Sequence, residues 1–281
     1  MNFERDFAGG LLRATSSDAI GTIAISNPDR KNAVTAAMWR AIPQAVRILT
    51  DEAHVRVIVL RGIGADFSAG ADIREFDSLR KNAETAVAYE ALNSQAFTAI
   101  RHCRVPTIAA IRGICYGGGF GLAAACDLRI AEQGARFSIP AVRLGIAYPA
   151  DAVQDIVNAL GSQMAKVALF TGTPMSGERM AAAGFLLEEI EPGEFDGEVS
   201  ALAHAIAANA PIALHASKLA IRAVIEQDGD LLREAEVIGA ETFDSADYTE
   251  GRAALPRAGN RTSPASDLMG SDLAYRLSSR L

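Results

Sequence analysis

Short β-branched runs alternate with long helix-periodic stretches through the first half of this chain, and that alternation restricts the fold more than any other feature. Residues 21–26 (G-T-I-A-I-S) and 55–60 (V-R-V-I-V-L) read as strands, with a helix over 33–49 between them. A loop rich in glycine and small residues covers 61–72. A polar helix over 82–101, a third strand over 106–111 and a fourth over 127–131 follow it. Parallel strands need crossover connections, so the pattern predicts an α/β core: a mostly parallel sheet with right-handed crossover helices. Beyond Gly161 the apolar spacing turns helical, over 163–170, 176–183, 198–209, 212–226 and 231–243. The expected organisation is an α/β core over 1–195, a helical C-terminal region over 196–255, and a flexible tail over 256–281, where Gly, Pro, Ser and Arg predominate.

Composition removes several classes of function. A net charge of −7 gives no broad basic surface for nucleic acid. The most apolar run, residues 105–126, is broken by Arg112 and several glycines, which argues against a membrane span, and Glu4, Arg5 and Asp6 stand where an export signal needs an apolar core. Cys103, Cys115 and Cys126 form an odd set without metal-type or disulfide-type spacing, which fits a reducing cytoplasm. The histidines His54, His102, His204 and His215 are scattered, so no metal site is expected.

Two segments carry the chemistry. A backbone N–H approaches a ligand oxygen closely only where neighbouring side chains are small or absent. R-G-I-G-A-D-F-S-A-G-A-D, after the second strand, meets that condition around Ala71. Y-G-G-G-F-G-L meets it around Gly118, at a helix start whose dipole favours negative charge. Two such N–H groups converging on one oxygen would form an oxyanion hole. A glycine triplet by itself also serves as a turn or as tight helix packing, and no Lys-Ser/Thr pair follows to make it a nucleotide loop.

The order of the motifs is more specific than any one of them. N-P-D-R-K-N-A-V at 27–34, F-S-A-G-A-D-I-R-E-F at 67–76 and P-T-I-A-A-I-R-G-I-C-Y-G-G-G-F-G-L-A-A-A-C-D-L-R-I-A at 106–131 resemble the crotonase superfamily, the enoyl-CoA hydratase/isomerase family. The resemblance continues through A-R-F-S-I-P-A-V-R-L-G-I and F-D-S-A-D-Y-T-E-G and spans about residues 10 to 255. It implies a spiral of β-β-α units with a helical C-terminal trimerisation region. It also implies a homotrimer or hexamer, a dimer of trimers. The implied substrate is an acyl-CoA thioester, as in fatty acid metabolism, with coenzyme A part of the substrate and no separate cofactor. Ala71 and Gly118 fall at the oxyanion-hole positions. Arg30, Lys31 and Arg74 fall in segments that line the CoA phosphates and adenine, and Ala69 falls where a backbone carbonyl meets the adenine. Gly70, Asp72, Ile73 and Gly117 complete the same segments; Asp72 is read as fixing its loop. Arg257 and Arg261 stand where relatives carry a Lys-rich CoA-binding stretch, in a different spacing.

Hydratases of this family use two glutamates, and this chain has Gly121 and Ala141 in their places. Neither residue can transfer a proton. The segment L-G-I-A-Y-P-A-D-A-V over 144–153 is the natural source of a replacement, and L-G-I-A-Y resembles the corresponding stretch of methylmalonyl-CoA decarboxylase. Tyr148 is either a phenolic donor or part of the pocket wall; Asp151 is either a base or the N-cap of a helix over 152–160. Three readings follow. One is an acyl-CoA enzyme that forms a thioester enolate without the two glutamates, by isomerisation, decarboxylation or hydrolysis. Another is a conventional hydratase with acids from elsewhere, and the third a non-catalytic acyl-CoA-binding or scaffolding protein.

Overall fold

The computed structural model describes residues 3–254, so the predicted tail with Arg257 and Arg261 lies outside the described residues. The chain divides into two compact units, the first ending at Phe195 and the second beginning at Asp196. Along the first unit run strands β1 (Phe3–Phe7), β2 (Leu12–Ser17), β3 (Ile20–Ile25), β4 (Val57–Gly62), β5 (Thr107–Ile111), β6 (Ile114–Tyr116), β7 (Leu128–Glu132), β8 (Arg136–Ser138), β9 (Met175–Ser176) and β10 (Glu188–Ile190). Its helices are α1 (Ala36–Asp51), α2 (Phe76–Leu79), α3 (Ala83–Arg101), α4 (Gly118–Ala125), α5 (Ala150–Thr171) and α6 (Gly177–Ala182).

The main sheet has seven strands in the order β1-β2-β3-β4-β5-β7-β10. From β3 onward every pairing is parallel, as the alternation predicts. Two features depart from a single parallel sheet. β1 and β2 add an antiparallel edge, and β6, β8 and β9 form a separate three-stranded sheet. Strands of two or three residues are too short to register as periodicity, and L-R-A-T-S-S in β2 is weak in β-formers, so both depend on their partners for definition. The successions β5-β6-α4 and β7-β8-α5 are strand-strand-helix units, and the α/β fold is of the crotonase type.

α1 lays Trp39, Ile42 and Leu49 into the core, and Thr35 starts it by accepting the Met38 N–H on Oγ1 at 3.3 Å. α4 has no polar face: residues 119–125 are all buried, so it threads the interior. α5 bends at Gly161 (φ 69°, ψ 158°), which joins the two helical stretches expected over 152–160 and 163–170 into one broken element. The second unit comprises α7 (Phe195–Ala207, which begins at the boundary), α8 (Pro211–Glu226), α9 (Gly229–Glu241) and α10 (Ala246–Ala254). α8 and α9 close on Leu219, Ala223, Leu231 and Ala235. No single helix among the described residues is long and apolar enough to cross a membrane.

Candidate functional site

The first motif, 27–34, and the loop after β4 are stitched together by backbone and buried polar groups. Asn32, fully buried, donates from Nδ2 to Ile63 O (2.9 Å) and Asp66 O (2.6 Å) and accepts the Asn27 N–H at 2.9 Å. Ala69 N–H donates to Lys31 O (2.8 Å), Val34 N–H to Gly70 O (2.7 Å) and Asp72 N–H to Val34 O (3.0 Å). This parallel bridge turns the Ala71 N–H away from residue 34. Gly70 sits at φ +90°, and a Cβ there would come within 2.7 Å of Tyr116 O and 2.8 Å of the Gly118 nitrogen, so only glycine lets the two segments meet.

Gly118 opens α4 behind Gly117 (φ +51°), and its own Cβ position lies 3.6 Å from the Ala71 nitrogen and 2.8 Å from Trp39 Cζ2. Ala71 and Gly118 therefore stand side by side, and neither N–H meets an acceptor among the described residues. Both line a pocket of about 110 Å³, together with Ala69, Ile73, Gly117, Ala141 and Tyr148. The two glycine segments thus aim paired, unused donors into one concavity.

The side-chain space beside Gly121 is filled. A Cβ on Gly121 would lie 2.5 Å from the Tyr148 hydroxyl and 2.7 Å from Phe97 Cζ. Tyr148 donates its phenolic hydrogen to Gly117 O at 2.9 Å, the carbonyl that also receives the Gly121 N–H. Burial above all, then Cys115 and Asp155 nearby, hold this phenol neutral far above the ordinary tyrosine range, against a weaker opposite pull from the Gly121 N–H. Sequence offered Tyr148 as a candidate; only the tertiary contact reveals that its oxygen stands where a residue-121 side chain would begin.

Asp151 is not the cap of its helix. Pro149, not Asp151, occupies the N-cap of α5, because the helix starts two residues earlier than its hydrophobic spacing suggests. The Asp151 carboxylate accepts the Ser94 hydroxyl at 3.0 Å and is not among the pocket-lining residues. Nearby, Arg101 on α3 donates to both oxygens of buried Asp155 at 2.6 Å, clamping α3 to α5. Ala141, in the turn Pro140–Leu144, lines the pocket with nothing titratable to offer.

The basic candidates gather around one buried acid. Asp72 (5% exposed) accepts the Arg74 N–H and its guanidinium, at 3.1 and 3.1–3.3 Å, and pairs with Arg30 at 3.6 Å. It therefore fixes its loop and orients two half-exposed arginines. Lys31 is exposed in a left-handed turn beside them, and Ile73, 68% exposed, stands at the rim of the pocket. Sequence reading missed Arg80, Glu90 and Asn93, which also line the pocket. Positions 90, 93 and 97 share one face of α3, a signal hidden because that face mixes polar and aromatic residues. Among the described residues no three His, Cys, Asp or Glu side chains group as a metal site.

Known proteins resemble this chain in sequence and fold. The family described as enoyl-CoA hydratase/isomerase matches residues 15–256. The chain is 30% identical over 239 residues to a short-chain-enoyl-CoA hydratase of Clostridium acetobutylicum, covering 84% of this chain and 90% of that one. It is 31% identical over 241 residues to a crotonyl-CoA hydratase of Syntrophomonas wolfei, covering 85% and 92%. The crystal structure of an enoyl-CoA hydratase/carnithine racemase from Magnetospirillum magneticum superposes with a TM-score of 0.82 at 33% identity, covering 88% of this chain and 93% of that one.

Proposed function

The chain belongs to the enoyl-CoA hydratase/isomerase family, and from that premise we propose that it forms a thioester enolate from an acyl-CoA without a hydratase's pair of glutamates. The Ala71 and Gly118 N–H groups hold the thioester oxygen as it becomes an oxyanion, each donor contributing on the order of 3 kcal/mol in the transition state. The CoA moiety lies along Arg30, Lys31 and Arg74, with the Ala69 carbonyl against the adenine. Gly70, Asp72 and Ile73 shape that side of the site, and Gly117, Gly121 and Ala141 shape the acyl side. The exposed apolar residues Ile221, Val224 and Val237 on α8 and α9 support assembly into trimers or a dimer of trimers, within a reducing cytoplasm.

One observation carries the choice of chemistry: a neutral phenol occupies the space beside Gly121. A neutral phenol is a donor and a poor base, and Gly121 and Ala141 supply no base either. Decarboxylation of an acyl thioester that carries a carboxylate on its α-carbon needs none. The bond from the α-carbon to the carboxylate breaks, its electron pair enters the thioester enolate held by Ala71 and Gly118, and carbon dioxide leaves. Tyr148 then delivers its proton to the α-carbon and is reprotonated from water. Isomerisation and thioester hydrolysis both ask for a base. A second reading, hydration with acids from elsewhere, is favoured by Glu90, a carboxylate lining the pocket.

Purified protein incubated with malonyl-, methylmalonyl- and crotonyl-CoA separates these readings. Release of carbon dioxide, with at least a hundredfold loss in Gly118→Pro shown to be folded by circular dichroism, is the expected result. Hydration of crotonyl-CoA without decarboxylation selects the second reading. Tight binding of all three esters without turnover makes the protein a non-catalytic acyl-CoA binder and refutes the enzyme.

A further inference from the structure

Two residues that line the pocket carry buried polar atoms that the chemistry above does not use. Asn93 is 5% exposed, and its Oδ1 has no hydrogen-bond partner among the described residues. Arg80, with a side chain 12% exposed, is clamped between the rings of Phe76 and Tyr89, 4.4 and 4.5 Å from their centroids. It pairs with Glu90 at 3.6 Å through Nη1, while its Nε–H is buried without an acceptor. Both residues line one cavity, and an orphan acceptor and an orphan donor buried beside it are costly unless an entering ligand satisfies them.

Their position along the pocket follows from α3. Phe97 packs on Gly121, beside the place where the acyl group reacts, and Asn93 lies four residues earlier on the same face, about 6 Å along the helix axis. A plain hydrocarbon chain would leave both polar atoms unpaired. A carboxylate could accept from Arg80 but has no hydrogen for Asn93 Oδ1, and it would set a second negative charge beside Glu90. A hydroxyl does both tasks and leaves the Arg80–Glu90 pair intact.

We propose that the acyl chain taken by this pocket carries a hydroxyl group about 6 Å beyond the reacting carbons, donating to Asn93 Oδ1 and accepting from Arg80 Nε–H. The inference rests on the reading of the pocket as a thioester site.

Calorimetric titration of the intact protein with free CoA, hexanoyl-CoA, 6-hydroxyhexanoyl-CoA and adipoyl-CoA tests it. The hydroxylated ester should bind about tenfold more tightly than hexanoyl-CoA, the effect of one to two buried hydrogen bonds. Asn93→Leu should narrow that preference to about twofold or less. Equal binding of the two esters by the wild-type protein, tighter binding of adipoyl-CoA, or a preference that survives Asn93→Leu overturns the hydroxyl assignment and leaves the thioester reading standing. Failure of all four to bind overturns both. The wild-type comparison decides the matter even if the variant does not fold.

Discussion

Placing a single methyl group on Gly121 tests whether the Tyr148 hydroxyl is packed against α4 as tightly as the geometry requires. The Cβ of Gly121→Ala would fall 2.5 Å from Tyr148 Oη and 2.7 and 2.9 Å from Phe97 Cζ and Cε1, short by 0.5–0.9 Å of the 3.4 Å where ordinary contact begins. Phe97 has little room to retreat: it is 1% exposed and sits edge-on to Trp39 at 5.7 Å. Tyr148 can yield only by loosening its bond to Gly117 O. Overpacking of this kind costs about 1–3 kcal/mol, and the helical preference of Ala over Gly returns up to about 1, which leaves a net loss of about 1–2 kcal/mol. Urea unfolding followed by circular dichroism, at one protein concentration throughout, measures it. Adding Tyr148→Phe removes the closest atom, so the double variant should lose about 0.5–1 kcal/mol less than the two single losses together. A Gly121→Ala protein as stable as the wild type, or strictly additive losses, would refute the packing argument.

Asp155→Ala leaves Arg101 buried without its carboxylate and should destabilise the protein by about 3–5 kcal/mol, read from the same unfolding curves. Arg30→Ala and Arg74→Ala should each raise the Kd for CoA roughly two- to fivefold, an effect that shrinks as salt is added, because both arginines are about half exposed. Burial pushes the Tyr89 phenol up to about 12, so the folded protein keeps a proton that the unfolded chain releases near 10. Stability from this group is fully present below pH 10 and falls as pH rises from 10 to 12, and the raised Tyr148 phenol adds in the same direction. Unfolding curves at stepped pH should show the decline, and Tyr89→Phe should make it shallower.

Much of the fold was legible because it is written in local pattern. The parallel strands β3, β4, β5 and β7 and the helices between them announce themselves by β-branched runs and apolar spacing. The strands β6, β8 and β9 do not, being too short to carry a period, and the β1–β2 edge is held by pairing more than by composition. The cap reading of Asp151 fails because a helix boundary two residues earlier moves the cap to Pro149, and its hydrogen-bond partner, Ser94, belongs to another helix.

The sequence by itself determined the order of the motifs, the glycines that let Gly70 approach Gly118, and the presence of Gly121 and Ala141, which carry no side chain able to transfer a proton. Those are matters of residue identity and of backbone freedom within a few positions. The tertiary structure alone decided what stands beside Gly121. Tyr148 reaches the start of α4 across 31 positions of chain, and Arg80, Glu90 and Asn93 face the same pocket from α3 and the turn before it. Which side chain meets which vacancy depends on how α3, α4 and α5 pack, and no spacing along a single chain encodes that distance.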